Sequence, residues 1–205
     1  MGAYFTETMR KISILGFAAL SAVTIATYAD VIPTLSSITQ NGNDFTWNYS
    51  ANVLVDQRVE TGDFFTIYDF GNFVPGSNMQ PAGWDFSSSL LGRTPAFLTP
   101  REYTLIHDDP AVLNLTWTYI GQNPIIGPNF LGIFSVTNNT NQITTGQFAA
   151  QATHNGGLLN GGKTANIGDV SVPVPEMSAL LPILSVCMAS LLALVPSFLR
   201  RRRIA

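Results

Sequence analysis

From Asn43 onward, polar and apolar positions alternate along the chain. In FTWNYSANVLV, Phe45, Trp47, Tyr49, Ala51, Val53 and Val55 fall on one face, while Thr46, Asn48, Ser50 and Asn52 fall on the other. A period of two sends successive side chains to opposite faces, which predicts a half-buried strand. DFFTIYDF, around residues 64–70, and YTLI, over 103–106, are further strand candidates. AVLNLTWTYI sets Leu113, Leu115, Trp117 and Tyr119 against Thr116 and Thr118. LGIFSVT, GQFAAQAT and TANIGDVSV bring the expectation to seven or eight strands. The separators NGND, VPGSNMQPAG, GQNPIIGPN, TNNTN and HNGGLLNGG are rich in Gly, Asn and Pro, residues that turns require. No stretch between residues 40 and 172 has a helical period. The pattern predicts an all-β fold, an antiparallel β-sandwich over residues 30–172, in which two sheets share one apolar core.

Both ends break this rhythm. Met9 is followed by the basic Arg10 and Lys11, then by a largely apolar stretch over residues 12–26. Thr27-Tyr28-Ala29 then places small residues three and one positions before Asp30. That layout predicts a secretory signal peptide over residues 1–29, cut after Ala29, with translation starting at Met1 or Met9. The competing reading is an uncut N-terminal membrane helix. At the other end, residues 177–199 carry no charge and Arg200, Arg201, Arg202 and Arg203 follow at once. A helix of 23 residues is about 35 Å long, enough to cross a bilayer core. The arginine cluster predicts a cytoplasmic C-terminus. A buried core helix explains the apolar run but not the arginines. The two ends agree on one topology, with the domain outside and the tail inside.

Charge sharpens this reading. Between residues 30 and 172 only Arg58, Arg93, Arg101 and Lys163 stand against eleven acids, a net of −7. Nucleic acid, which needs a basic face, is excluded as a partner. The single cysteine, Cys187, lies in the apolar run and permits no internal disulfide. It reads as a small packing residue in the tail.

Candidate chemistry in the middle is sparse. His107 and His154 are the only histidines. His107-Asp108-Asp109 precedes Pro110 and reads as a turn, although a histidine beside carboxylates raises a hydrolase as one reading. Asp56, Glu60, Asp63 and Asp69 match no calcium-loop spacing and read as solvated strand edges, so no metal and no cofactor are expected. Trp47 and Trp117 sit on apolar faces and are assigned to the core. Trp84, in QPAGWDFSSS, either lids the core or stacks on a sugar ring. Asn48, Asn114 and Asn138 fit the glycan-acceptor pattern and read as ordinary polar residues of strands and turns.

A signal peptide, a Pro-Glu step, an apolar C-terminal helix and terminal arginines together resemble the PEP-CTERM family. Its members are exported proteins of Gram-negative bacteria that make extracellular polysaccharide. The family pattern is Val-Pro-Glu-Pro followed by Ser or Thr. This chain has Val174-Pro175-Glu176-Met177-Ser178, with Met177 in place of the second proline. The resemblance covers residues 173–205. It implies a sorting tail processed by exosortase, a membrane-embedded cysteine transpeptidase.

The expectation is therefore a non-enzymatic protein, handled by signal peptidase and exosortase. It is held in the inner membrane as a precursor and then delivered to the cell surface or extracellular matrix. Two alternatives stand beside it. One is a carbohydrate-binding or adhesion module contacting exopolysaccharide. The other is a bitopic inner-membrane protein whose tail is only an anchor.

Overall fold

The computed structural model describes residues 31–175. Ala29, Glu176, the apolar run 177–199 and Arg200, Arg201, Arg202 and Arg203 lie outside the described residues. Among the described residues no helix is long and apolar enough to cross a membrane. The elements are, in order, β1 (Val31–Asn41), β2 (Asp44–Val53), β3 (Gln57–Val59), β4 (Phe64–Ile67), β5 (Trp84–Ser89), α1 (Pro100–Tyr103), β6 (Asn114–Tyr119), β7 (Ile125–Ile126), β8 (Asn129–Asn138), β9 (Ile143–His154) and β10 (Lys163–Pro173).

The strands form two sheets, and every pairing is antiparallel. β1, β2 and β8 make a three-stranded sheet in that order. The larger sheet runs β5-β6-β4-β9, and β9 also pairs with β3 and with β10. One hydrophobic cluster takes residues from both sheets, including Trp47, Tyr49 and Phe134 from the first and Phe65, Leu115 and Trp117 from the second. Phe134 is the hinge-pin of the contact. Its ring lies edge-on to Phe65 and Trp84 at 5.0 Å and to Trp117 at 5.8 Å. Edge-to-face geometry places the positive ring edge on the negative face, adding about 0.5–1.5 kcal/mol per pair beyond burial. The core tryptophan also makes a polar link: Trp47 Nε1–H donates to the Thr140 carbonyl at 3.0 Å. The Tyr49 hydroxyl donates to the Ser171 carbonyl at 2.8 Å, tying β2 to β10 across the sheets. Burial pushes that phenol well above its usual pKa.

The expected alternation holds on β2, where Trp47, Tyr49, Ala51 and Val53 are buried; Val55 lies past the strand end and is exposed. It fails on β4, all four residues of which are buried. The cause is the connection from β5 to β6, which covers the outer face. The Thr66 hydroxyl donates to the Arg93 carbonyl at 2.8 Å, and the Tyr68 and Thr94 hydroxyls lie 2.8 Å apart. The Arg93 guanidinium sits 3.9 Å from the centre of the Phe64 ring. Thr116, expected on the solvent side, is buried and shares a 2.8 Å hydrogen bond with Thr66.

Two expected elements are corrected. YTLI is not a strand, because Thr99 and Glu102 cap each other reciprocally and start the single turn of α1. Residues 84–89, absent from the strand candidates, form β5, whose backbone pairs with β6 along its full length.

The two ends of the strands define two ends of the body. Val31 pairs with Val53 at one, and Asn41 pairs with Asp44 at the other. β10 runs from Lys163, opposite Thr153, to Pro173, opposite Ile143. The last strand therefore finishes at the end opposite to the one where β1 begins.

Candidate functional site

The point where β10 gives way to the tail carries the first two residues of the Val-Pro-Glu step. Pro173 is still in register with Ile143. One residue on, the Val174 N–H donates to the Gln142 carbonyl at 2.9 Å, so the ladder is extended past the strand. Pro175 then packs on Gly71 and, with loop 70–73 and residues 111–113, lines a cleft of about 220 Å³. Gly71 forms its floor. A Cβ on Gly71 would stand 2.8 Å from the Pro175 Cα, closer than real Cβ contacts allow, so only glycine leaves room for the proline.

The floor is itself held from below. The buried Asn138, at the end of β8, donates its side-chain N–H to the Gly71 carbonyl and accepts the Thr140 N–H on Oδ1 at 2.8 Å. The Phe70 N–H donates to the Leu113 carbonyl at 2.8 Å, and Val74 N–H donates to the Thr137 carbonyl at 3.0 Å. Asp69 and Asn72 take left-handed backbone angles, with φ of 54° and 55°, and these bend the loop across the strand ends. Asn138 was read from the sequence as an ordinary polar turn residue. Its burial makes it a structural tether, and the same holds for Asn114. Asn114 Oδ1 accepts the Asp69 N–H at 2.9 Å, while Nδ2 donates to the Leu90 carbonyl at 3.2 Å and to Asp108 Oδ1 at 2.9 Å. A local signal for these roles existed in the sequence. Each asparagine sits at the end of an apolar strand, where loop backbone groups need acceptors and donors.

His107 lies nearby in a polar cleft of about 300 Å³, lined also by Asp69, Thr145, Gly146, Gln147 and Asp169. Its backbone N–H donates to Gln147 Oε1 at 2.8 Å, and the Gln147 amide returns a bond to the Leu105 carbonyl at 2.5 Å. Asp69 Oδ1 accepts the Asp109 N–H at 2.9 Å. Burial, joined by the charges of Asp108 and Asp109, lifts the Asp69 carboxyl above its ordinary value. The Asp109 N–H and His107 oppose that rise only in part. Among the described residues no group of three or more His, Cys, Asp or Glu is arranged to hold a metal ion.

Of the two readings of Trp84, packing on the core is the one the structure has. The residue opens β5, is 5% exposed, and packs edge-on to Phe65, Tyr119 and Phe134. Its ring is committed to the core and offers no free face to a sugar. Asp63 is not a solvated strand edge but is fully buried, 2.7 Å from Lys163 Nζ. Glu60, beside it, is partly exposed and bonds Arg58 at 2.5 Å.

Comparison with known protein families and with curated proteins found no match.

Proposed function

We propose that the chain is an exported, non-enzymatic β-sandwich protein of the cell surface or extracellular matrix, addressed by its C-terminal tail. Signal peptidase removes the leader after Ala29, and exosortase acts on the Val174-Pro175-Glu176 step. The apolar run 177–199 holds the precursor in the inner membrane, and Arg200 to Arg203 keep its end in the cytoplasm. The observation that carries this reading is the layout of the tail itself, a Pro-Glu step followed by 23 uncharged residues and four arginines. The position of that step supports it. The last strand ends at Pro173, and the step follows it directly, so cutting there leaves every strand of the domain intact.

The test is expression of the full chain, and of a chain lacking residues 174–205, in paired hosts with and without exosortase. The full chain is expected to be shortened and delivered to the surface only where the enzyme is present. The truncated chain is expected to bypass the membrane stage in both. If the full chain stays membrane-bound and uncut in both hosts, the tail is a plain anchor.

A further inference from the structure

The motif that the peptidase must reach is fastened to the domain it follows. Val174 N–H is bonded to the Gln142 carbonyl at 2.9 Å, and Pro175 rests on Gly71, where it forms one wall of a cleft with Phe70, Phe73, Val112 and Leu113. Upstream there is no slack. Val172 is buried, and residues 163–173 are all in register with β9. An enzyme that reads a peptide in extended form needs that peptide's main-chain groups for its own hydrogen bonds. Here the Val174 donor is already in use although the side chain is exposed, and Pro175 is half-buried with its backbone against Gly71.

We propose that the folded body sequesters its own processing step, so that Val174 and Pro175 must leave Gln142 and Gly71 before a membrane peptidase can engage Val174-Pro175-Glu176. The identity of that peptidase rests on the sorting function above; the closed state rests on the geometry alone. The latch is built from three parts of the chain that meet only after folding. These are Gly71 in the loop after β4, Asn138 at the end of β8 holding Gly71 in place, and Gln142 just before β9. Opening it gives up only the last rung of β10: Pro173 has no N–H, so its pairing with Ile143 is closed on the tail side by the Val174 bond itself, and the rungs from Val172 inward are left in place.

The test uses the full-length chain in detergent micelles with a glutamyl endopeptidase as probe. Cutting after Glu176 is followed by mass spectrometry, and cutting after Glu60 and Glu102 serves as an internal control on the fold. Two variants open the latch independently. Gly71→Ala introduces a Cβ 2.8 Å from the Pro175 Cα. A Gly-Ser-Gly-Ser insertion between Pro173 and Val174 carries the step away from the cleft and leaves Gly71 alone. Both are expected to speed cutting after Glu176 by about fivefold or more, the change in open population that loss of one ordinary hydrogen bond brings, with the control cuts unchanged. Wild type cut after Glu176 as fast as the insertion variant overturns the proposal. In a host with exosortase the same variants are expected to mature faster. If the probe distinguishes the variants but no form matures in that host, the latch stands and the sorting function fails.

Discussion

Asp63 and Lys163 meet across β9 with 2.7 Å between carboxylate and ammonium, and the carboxylate has no exposed surface. Three other donors converge on the same carboxylate: the Thr153 hydroxyl at 2.8 Å, the Gln151 amide at 3.1 Å and the Glu60 N–H at 2.9 Å. Because Asp63 lies just before β4 and Lys163 opens β10, the pair joins the two strands that flank β9. Lys163→Met would leave a buried negative charge without its partner. Losing one side of a fully buried pair costs about 3–5 kcal/mol. The ammonium is partly exposed here, so a loss of about 2–3 kcal/mol is expected in urea unfolding. Asp63→Asn combined with Lys163→Met is expected to cost less than the two changes summed.

All three tryptophans of the chain are buried, at 0% exposure for Trp47 and Trp117 and 5% for Trp84. The folded protein is therefore expected to emit at short wavelength and to resist quenching by iodide until it unfolds. Trp84→Ala should destabilise by about 3–5 kcal/mol, the usual effect of emptying a large aromatic site. Ready iodide quenching of wild type that Trp84→Phe abolishes would place the indole at the surface and contradict the packing described above.

Two carboxylates drive stability in opposite directions with pH. At Glu60, desolvation favours the neutral acid, but the bond and charge of Arg58 and the charge of Lys163 outweigh it and hold the pKa below its usual 4.5. The unfolded chain then binds the proton more readily, so this contribution is present above pH 4.5 and is lost as pH falls through the folded value. Asp69 behaves in reverse. Its folded pKa is raised above 3.8, chiefly by burial, so stability declines as pH rises from there through the folded value. Asp69→Asn keeps an oxygen for the Asp109 N–H and tolerates φ of 54°. It should raise Tm at pH 7 by about 1–3 °C, a modest figure because the group is only half-buried. The gain should vanish below pH 3.8 in a thermal melt series.

Gly132 occupies the irregularity between β2 and β8, where the register slips next to Ala51 and Asn52. Its φ is 119°, and a Cβ there would collide with the ring of Pro81. Gly132→Ala combines backbone strain with overpacking and should cost about 2–4 kcal/mol. The Met79–Ser135 bridge, which anchors the 74–83 loop onto β8, should loosen with it, visible as faster amide exchange at Met79 and Ser135.

How much of this was legible in the chain depended on what each segment's neighbours supplied. β2, β6, β8, β9 and β10 carry their own period-two signal, and all-β antiparallel architecture followed from it. β1 was not visible, because a register irregularity between Leu35 and Ser37 interrupts its alternation and most of its residues face solvent. β5 has only Trp84 and Phe86 as apolar positions before three serines, so its strand character comes from pairing with β6. The turn at Pro100–Tyr103 has its own signal, since Thr99 with Glu102 three residues later is a capping signature, and it competes with the strand-like composition of YTLI that follows. The covered outer face of β4 was not readable. No local pattern says that a connection of over twenty residues folds back on Thr66 and Tyr68. At the candidate site the Val-Pro-Glu step was plain. The seat of Pro175 on Gly71 was hidden, since it depends on a glycine and an asparagine 67 residues apart.

The polarity of β1 and β10 has a mechanical consequence. Tension applied between Val31 and Pro173 pulls each strand outward along its own length, away from its antiparallel neighbour. Each of these strands has eleven residues and extends about 36 Å. In that loading direction the rungs of a ladder bear the force together, in shear, and cannot be peeled open one at a time. A body gripped in this way at opposite poles resists stretching far better than its equilibrium stability alone implies.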